Sequence, residues 1–225
     1  MQTSVPAPSP LPSEGKASAI LLSWKRTGNV ERIITNLRKW TRIGEIILWN
    51  NDYEKSLKFP GATVINADRN FGSLARYGLV PLAAHDTIWF QDDDMLIDQA
   101  QFERVFAAYA ANPARIYGCR GRNLANGRYV MENAYGECDI IVSQTMLFHR
   151  SLLHHLFRFL GCLPLPGRAD DIAFSLACPS RHVAVNVEPI VELGWDDDNA
   201  QWRMAGHLES RQAQVDMMLP FRPKL

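Results

Sequence analysis

Three adjacent carboxylates, Asp92-Asp93-Asp94, follow directly on the apolar run Thr87–Gln91 (TIWFQ). Like charges on neighbouring residues repel one another unless something cationic compensates them. Hard divalent cations such as Mg2+ and Mn2+ take oxygen ligands and commonly share them with substrate phosphates. Alternate residues on extended chain point the same way, so Asp92 and Asp94 can act together while Asp93 faces elsewhere. An acidic triplet is ordinarily a solvated turn. This one stands at the C-terminal end of a buried strand, where open α/β sheets bind ligands, and that favours a metal–diphosphate site. A second triplet, Asp196-Asp197-Asp198, follows Gly194-Trp195 with no such strand before it and reads as solvated loop.

A second acidic pair, Asp170-Asp171, leads into the apolar Ile172-Ala173-Phe174. Carboxylates favour a helix N-terminus, which accounts for one of the two. The other has the chemistry to accept a hydroxyl proton or to stabilise a developing positive charge. Other candidates are weaker. Trp24 and Trp49 stand near strand ends and read first as core. Lys25 and Arg26 are open between phosphate contact and solvated loop. His149, His154 and His155 surround a Leu/Phe-rich segment; neighbours on a helix do not share a face, so they read as structural or surface histidines. Cys119, Cys138, Cys162 and Cys178 have no metal-binding spacing and read as buried apolar side chains.

The elements that must position these groups alternate. Ser18–Trp24, Glu45–Trp49, Ala62–Asn66 and Thr87–Gln91 read as strands, the first, second and fourth as buried ones. Between them Val30, Ile33, Ile34, Leu37 and Trp40 recur at helical spacing, and Gly72–Ala84 reads as a helix. Asp98 with Gln101 has the form of a helix cap, continued by Phe102, Val105, Phe106 and Tyr109 and ended by Asn112-Pro113. Strands alternating with helices predict a mostly parallel α/β sheet flanked by helices. The second half is irregular α+β. Ile116–Cys119, Arg128–Met131, Ile140–Val142 and His182–Val187 are short strand candidates, with a turn at Asn126-Gly127. Arg150–Leu160 and Asp171–Cys178 read as helices, and Ala200–Met218 as a closing helix or a tail.

The chain has 225 residues with 24 Lys+Arg against 24 Asp+Glu. Zero net charge argues against a general nucleic-acid binder. No apolar run reaches the roughly 20 residues of a membrane span, and no signal core is seen, so a cytoplasmic protein is expected. Four prolines in the first 16 residues predict a disordered lead-in, followed by a single domain over 17–220.

Six segments in order resemble a GT-A-fold nucleotide-sugar glycosyltransferase, and more narrowly the exostosin-type C-terminal glycosyltransferase domain. They are Ile46–Asn51 (IILWNN), Asn70–Arg76 (NFGSLAR), Gln91–Met95 (QDDDM), Tyr117–Arg122 (YGCRGR), Asp170–Ala173 (DDIA) and His207–Arg211 (HLESR), spanning about residues 18–215. The resemblance implies Rossmann-like GT-A architecture and transfer of a sugar from a UDP-sugar donor to a hydroxyl acceptor, a glycan or glycoconjugate, with Mn2+ or Mg2+. It implies donor contacts from Asn50, Asn70, Arg76, Asp92 and Asp93, and metal ligation by Asp94 with Asp92. Asp171 falls at the reacting centre, and Arg211 balances the departing diphosphate with His207 nearby. Asp170 stands where the family more often has Glu, and Phe174-Ser175 replaces Met-Asn. The exostosin likeness implies retention at the anomeric carbon; inversion would make Asp171 the general base. A nucleotidyltransferase and an inactive sugar-nucleotide or glycan-binding module are the rival readings. Against the first, no Gly-rich, Lys/Arg-laden loop lies near Ser23–Asn29.

Overall fold

The computed structural model describes residues 15–159, 161, 163, 169–194, 198 and 200–224. The Pro-rich lead-in up to residue 14, Cys162, Arg168, Asp196 and Asp197 lie outside the described residues.

The first half follows the expected alternation: β1 (Ala17–Ser23), α1 (Thr27–Leu37), β2 (Ile43–Asn50), β3 (Thr63–Asn66), β4 (Thr87–Gln91), β5 (Met95–Leu96) and α2 (Gln99–Ala111). The Asp98 side chain and Gln101 cap α2 reciprocally, as their spacing predicts. Between β3 and β4 the expected helix is present over Ser73–Leu82, as a 3-10 helix containing Pro81 near its end. Proline lacks the N–H that an i→i−4 bond needs.

Short strands follow: β6 (Tyr117–Gly118), β7 (Gly121–Arg122), β8 (Leu124–Ala125), β9 (Arg128–Tyr129), β10 (Gly136–Cys138), β11 (Ile140–Ile141) and β12 (Thr145–His149). Then come α3 (Leu153–Phe157), α4 (Asp170–Ala177), β13 (His182–Ala184), β14 (Val191–Glu192) and α5 (His207–Met218). Asn126 and Gly127 both take positive φ between β8 and β9, as a tight hairpin turn requires. The closing segment is a helix, with Arg211, Gln214, Val215 and Met218 on its buried face.

Eight strands form one sheet in the order β10-β13-β6-β12-β4-β1-β2-β3. β3, β2, β1 and β4 run parallel, β12 runs antiparallel between β4 and β6, and β13 is parallel to β6. Alternate residues face two apolar layers. Ile20, Ile47, Phe90 and Phe148 pack with α3, α4 and α5, whereas Leu21, Leu48, Trp89 and Leu147 pack with α1 and α2. A strand buried on both faces must be apolar throughout, which is why TIWFQ has no polar alternation. Cys119, Cys138 and Cys178 are buried free thiols, as expected.

β12 was not legible in the sequence. Its Thr145–Phe148 stretch is wholly buried, but only three consecutive residues, Met146–Phe148, are apolar. Among the described residues no helix is long and apolar enough to cross a membrane.

Candidate active site

The parallel strands β1, β2 and β4 share a direction, so the segments that leave them emerge at one edge of the sheet. These are Trp24–Arg26, Asn51 and Asp92–Asp94. The segment that follows β6, with Arg120, and Ser143-Gln144 before the antiparallel β12 meet the same edge. Together with the starts of α4 and α5 they line a cleft of about 480 Å³. Asn70, Arg76, Asp92, Asp93, Asp94, Asp170, Asp171, His207 and Arg211 all line it.

The acidic turn is held from beneath. The Gln91 side chain accepts from Trp89 Nε1 and donates to the Met95 carbonyl, bridging the turn. The Asp92 amide donates to the Gln144 carbonyl, and the Leu193 amide to that of Asp94. Residues 93–94 form a turn, so the alternation expected of extended chain does not hold, and Asp93 shares Arg26 with Asp94. Asp93 accepts from the Trp24 amide at 3.0 Å and from Arg26 Nη1 at 3.0 Å. Arg26 is therefore a buried partner of Asp93, with Asp94 at 3.8 Å, and not part of a solvated loop.

Asp92 meets Arg76 Nη1 at 2.7 Å. Burial raises the Asp92 carboxyl to about 7; Arg76 opposes this and Asp94 adds to it. Burial likewise raises Asp93 to about 6, against Arg26. Asp94 rises to about 6 through burial and the charges of Asp93 and Glu192. Asp94 Oδ1 is buried without a hydrogen-bond partner among the described residues. An acceptor-only oxygen in that position, beside excess negative charge, fits a cation. Among the described residues no three His, Cys, Asp or Glu converge as a complete metal cage. A cation on Asp92 and Asp94 would complete its shell with ligand oxygens or water, as Mg2+ commonly does.

The other end of the cleft is balanced. Asp171, 1% exposed in the first turn of α4, accepts from Arg211 Nη2 at 2.7 Å through Oδ2 and from the Ile172 amide at 3.0 Å through Oδ1. The Arg211 guanidinium lies 4.6 Å over the Tyr129 ring. Burial opposes its charge, but Asp171 and Tyr129 together outweigh that and hold it protonated beyond the usual arginine range.

Asn50 and Asn70 separate on inspection. Asn50 is fully buried beneath the cleft and spends its amide on the carbonyls of Asp52 and Lys55 and on Asn66 Oδ1. The next residue, Asn51, reaches the cleft; it accepts from Trp49 Nε1 and the Phe71 amide and donates to the Gly72 carbonyl. Asn70 accepts from the Gly72 amide, closing a turn in which Gly72 has φ 71° and turns the chain into Ser73 and Arg76. The sequence reading also passed over Arg120 and Arg122 as separate site groups. Arg120 pairs with Glu192 at 2.6 Å, and Arg122 Nε is buried without a partner among the described residues. Their motif, YGCRGR, was the available signal. In the other triplet Asp198 has a side chain 99% exposed, 3.6 Å from Arg203.

The large, mostly parallel sheet flanked by helices is of the GT-A glycosyltransferase type, as its structural neighbours show. The chain belongs to glycosyl transferase family 64, whose domain matches residues 17–164. Asp171 and Arg211 lie beyond that stretch. The fold is similar to that in the crystal structure of GalNAc-T7 with UDP, GalNAc and Mn2+, at 9% identity and TM-score 0.59, covering 76% of this chain and 42% of that one. It is also similar to the mannosyltransferase PcManGT from Pyrobaculum calidifontis in complex with GDP-Man and Mn2+, at 14% identity and TM-score 0.65, covering 97% and 67%. This chain thus spans less than half the length of the first. No curated protein matches the chain in sequence.

Proposed function

We propose that the protein transfers a sugar from a UDP-sugar to a hydroxyl of a glycan or glycoconjugate, with Mn2+ or Mg2+ and with retention at the anomeric carbon, as its exostosin-type resemblance implies. The observation that carries this reading is the contrast across one cleft between an acidic turn short of positive charge and a balanced Asp171–Arg211 pair. Asp94 and Asp92 are the residues to hold the cation. When bound, it offsets charge gathering on the departing diphosphate. Asn70 and Asn51 border the donor side, while Asn50 and Asp93 set the loops that carry Asn51 and Arg26.

Asp171 supports retention over inversion. Both its oxygens accept hydrogen bonds, Oδ2 from the Arg211 guanidinium and Oδ1 from the Ile172 amide, so the carboxylate is engaged by its partners and not turned to an acceptor hydroxyl. Its place suits stabilising positive charge at the anomeric carbon. The acceptor oxygen then bonds to that carbon as the carbon–oxygen bond to the diphosphate breaks. The acceptor proton passes to a diphosphate oxygen on the same face. Arg211 remains to balance the released charge, with His207 one turn earlier on the same face of α5.

The test is thermal stability with UDP, with and without Mn2+, in wild type and Asp94→Ala, followed by NMR of the anomeric proton of the product. GDP serves as a parallel arm. A metal-dependent rise seen only in wild type, followed by a retained anomer, is expected. A rise with GDP alone would overturn the donor, and an inverted anomer the stereochemistry. Pyrophosphate release from a nucleoside triphosphate and sugar phosphate would establish the nucleotidyltransferase reading. Binding without transfer would leave a sugar-nucleotide-binding module.

A further inference from the structure

The hairpin β8–β9 stands apart from the eight-stranded sheet: Leu124 pairs with Tyr129 and Ala125 with Arg128, and the two strands form a sheet of their own. A two-stranded ribbon is marginal by itself and needs outside contacts to hold its place. On β8 the Leu124 amide donates to Asp139 Oδ2 at 2.8 Å. On the β9 side the contacts come from α5. The Gln212 side chain accepts from the Tyr129 amide at 2.8 Å through Oε1. Through Nε2 it donates to the Gly127 carbonyl at 3.1 Å and to Asp216 Oδ1 at 2.7 Å. Its neighbour Arg211 sets its guanidinium over the Tyr129 ring. Consecutive helical residues diverge by about 100°, so α5 grips Tyr129 twice, by its backbone and by its ring. Tyr129 lines the cleft, and so do Met131 and Asn133 just after it; Gln212 is not among the lining residues.

We infer that Gln212 is a positioning residue for the acceptor: it acts through the β8–β9 hairpin and fixes the wall formed by Tyr129, Met131 and Asn133 relative to Asp171. This rests on the proposed sugar transfer. In that reading the donor is held at the acidic turn. Tyr129, by its contact with Arg211, belongs to the other end of the cleft, beside the reacting centre, where the acceptor hydroxyl must arrive. Arg211 also ties α5 to Asp171 at 2.7 Å, so two successive residues of one helix carry the reacting-centre pair and the clamp on the hairpin. The clamp needs a side chain that accepts from one main-chain group and donates to another at the same time. A primary amide does both, whereas a carboxylate only accepts and an ammonium only donates. Without it the Tyr129 amide and the Gly127 carbonyl lose these partners, and the hairpin is left to its own two strands.

The experiment compares wild type, Gln212→Ala, Gln212→Glu and Gln212→Glu/Asp216→Asn. In each, it measures UDP–Mn2+ affinity by thermal shift, then kcat and acceptor KM with a panel of methyl glycosides of mono- and disaccharides. Gln212→Ala should raise acceptor KM by about 10-fold, the scale of two lost hydrogen bonds, with kcat and UDP–Mn2+ affinity within about 3-fold of wild type. Gln212→Glu keeps the oxygen that accepts from Tyr129 but loses the donor to Gly127 and meets Asp216 as a like charge, so KM should rise nearly as far. Adding Asp216→Asn removes that repulsion and should recover part of the loss. An unchanged KM in Gln212→Ala would overturn the inference. So would UDP–Mn2+ affinity lost in parallel, which would make Gln212 a support of the whole fold. A fall in kcat at unchanged KM would overturn it too, since the residue would then act on the Arg211–Asp171 pair and not on the acceptor wall. Should Gln212→Ala fail to fold, Gln212→Glu decides by the same split. Wild type that transfers to no member of the panel overturns the functional reading and this inference with it. An active wild type with the wrong pattern in the variants overturns the inference alone.

Discussion

The two ends of the cleft handle buried charge in opposite ways. At the end of β4, three consecutive carboxylates share Arg26 and Arg76, burial pushes all three up to about 6 or 7, and Asp94 Oδ1 has no hydrogen bond among the described residues. At the start of α4, Asp171 and Arg211 pair one to one at 2.7 Å, with Arg211 Nε left without a hydrogen-bond partner among the described residues. A site short of positive charge is built to gain a cation, and a site already paired is built to hold a geometry.

Four perturbations bear on that contrast. The largest effect is expected from Asp94→Ala. It should abolish the metal-dependent stabilisation by UDP, which in wild type at about 100 times Kd amounts to roughly 2.7 kcal/mol, a shift of about 5–10 °C. Transfer should fall with it by at least about 10³-fold. Retained turnover would place the cation elsewhere and break the comparison. Next, Asp171→Ala should leave donor stabilisation in place and lower transfer by about 10²–10³-fold, read by single-turnover product formation. Donor binding lost in parallel would mean that the two ends are one site.

Third, Arg211→Met strands a buried carboxylate and should lower unfolding stability by about 3–5 kcal/mol in a denaturant titration. The double variant with Asp171→Ala should cost less than the sum of the single ones, since neither charge is then left alone. Full additivity would show that the pair is not coupled.

The fourth perturbation is pH. A carboxylate raised in the folded state binds its proton more tightly there than in the unfolded chain, so it stabilises the fold at low pH and loses that contribution as pH rises. For Asp92, Asp93 and Asp94 the loss runs from the ordinary value of 3.8 up to about 6–7. The metal-free protein should lose this part of its stability between about pH 4 and pH 7, most visibly against an Asp92→Asn/Asp94→Asn variant. Added Mn2+ should restore it at pH 7.5 but not at pH 5. A metal effect indifferent to pH would mean that these carboxylates do not bind it.

Much of the acidic end of the cleft was legible because its signals are local. TIWFQ must be buried, and a buried strand delivers whatever follows it to the sheet edge. Asp98 and Gln101 cap α2 within three residues, and Val30, Ile33, Ile34 and Leu37 mark one helix face. Where signals were short or remote, the reading failed. β12 offers three apolar residues and is recognisable as a strand only between β4 and β6. Arg26 looks like any loop arginine until Asp93, 67 positions away, closes on it.

By itself, then, the sequence determined the alternation of strands and helices, the edge of the sheet where chemistry gathers, and the acidic turn at its centre. These follow from periodicity and from strand direction, which neighbours along the chain encode. Only the tertiary structure decided who pairs with whom. Arg76 lies between Asp92 and Asp170, Arg211 is spent on Asp171, and Asn50 is a support beneath Asn51. An ion pair depends on distance in space and on how far both partners are removed from water, and neither is set by residue type or spacing.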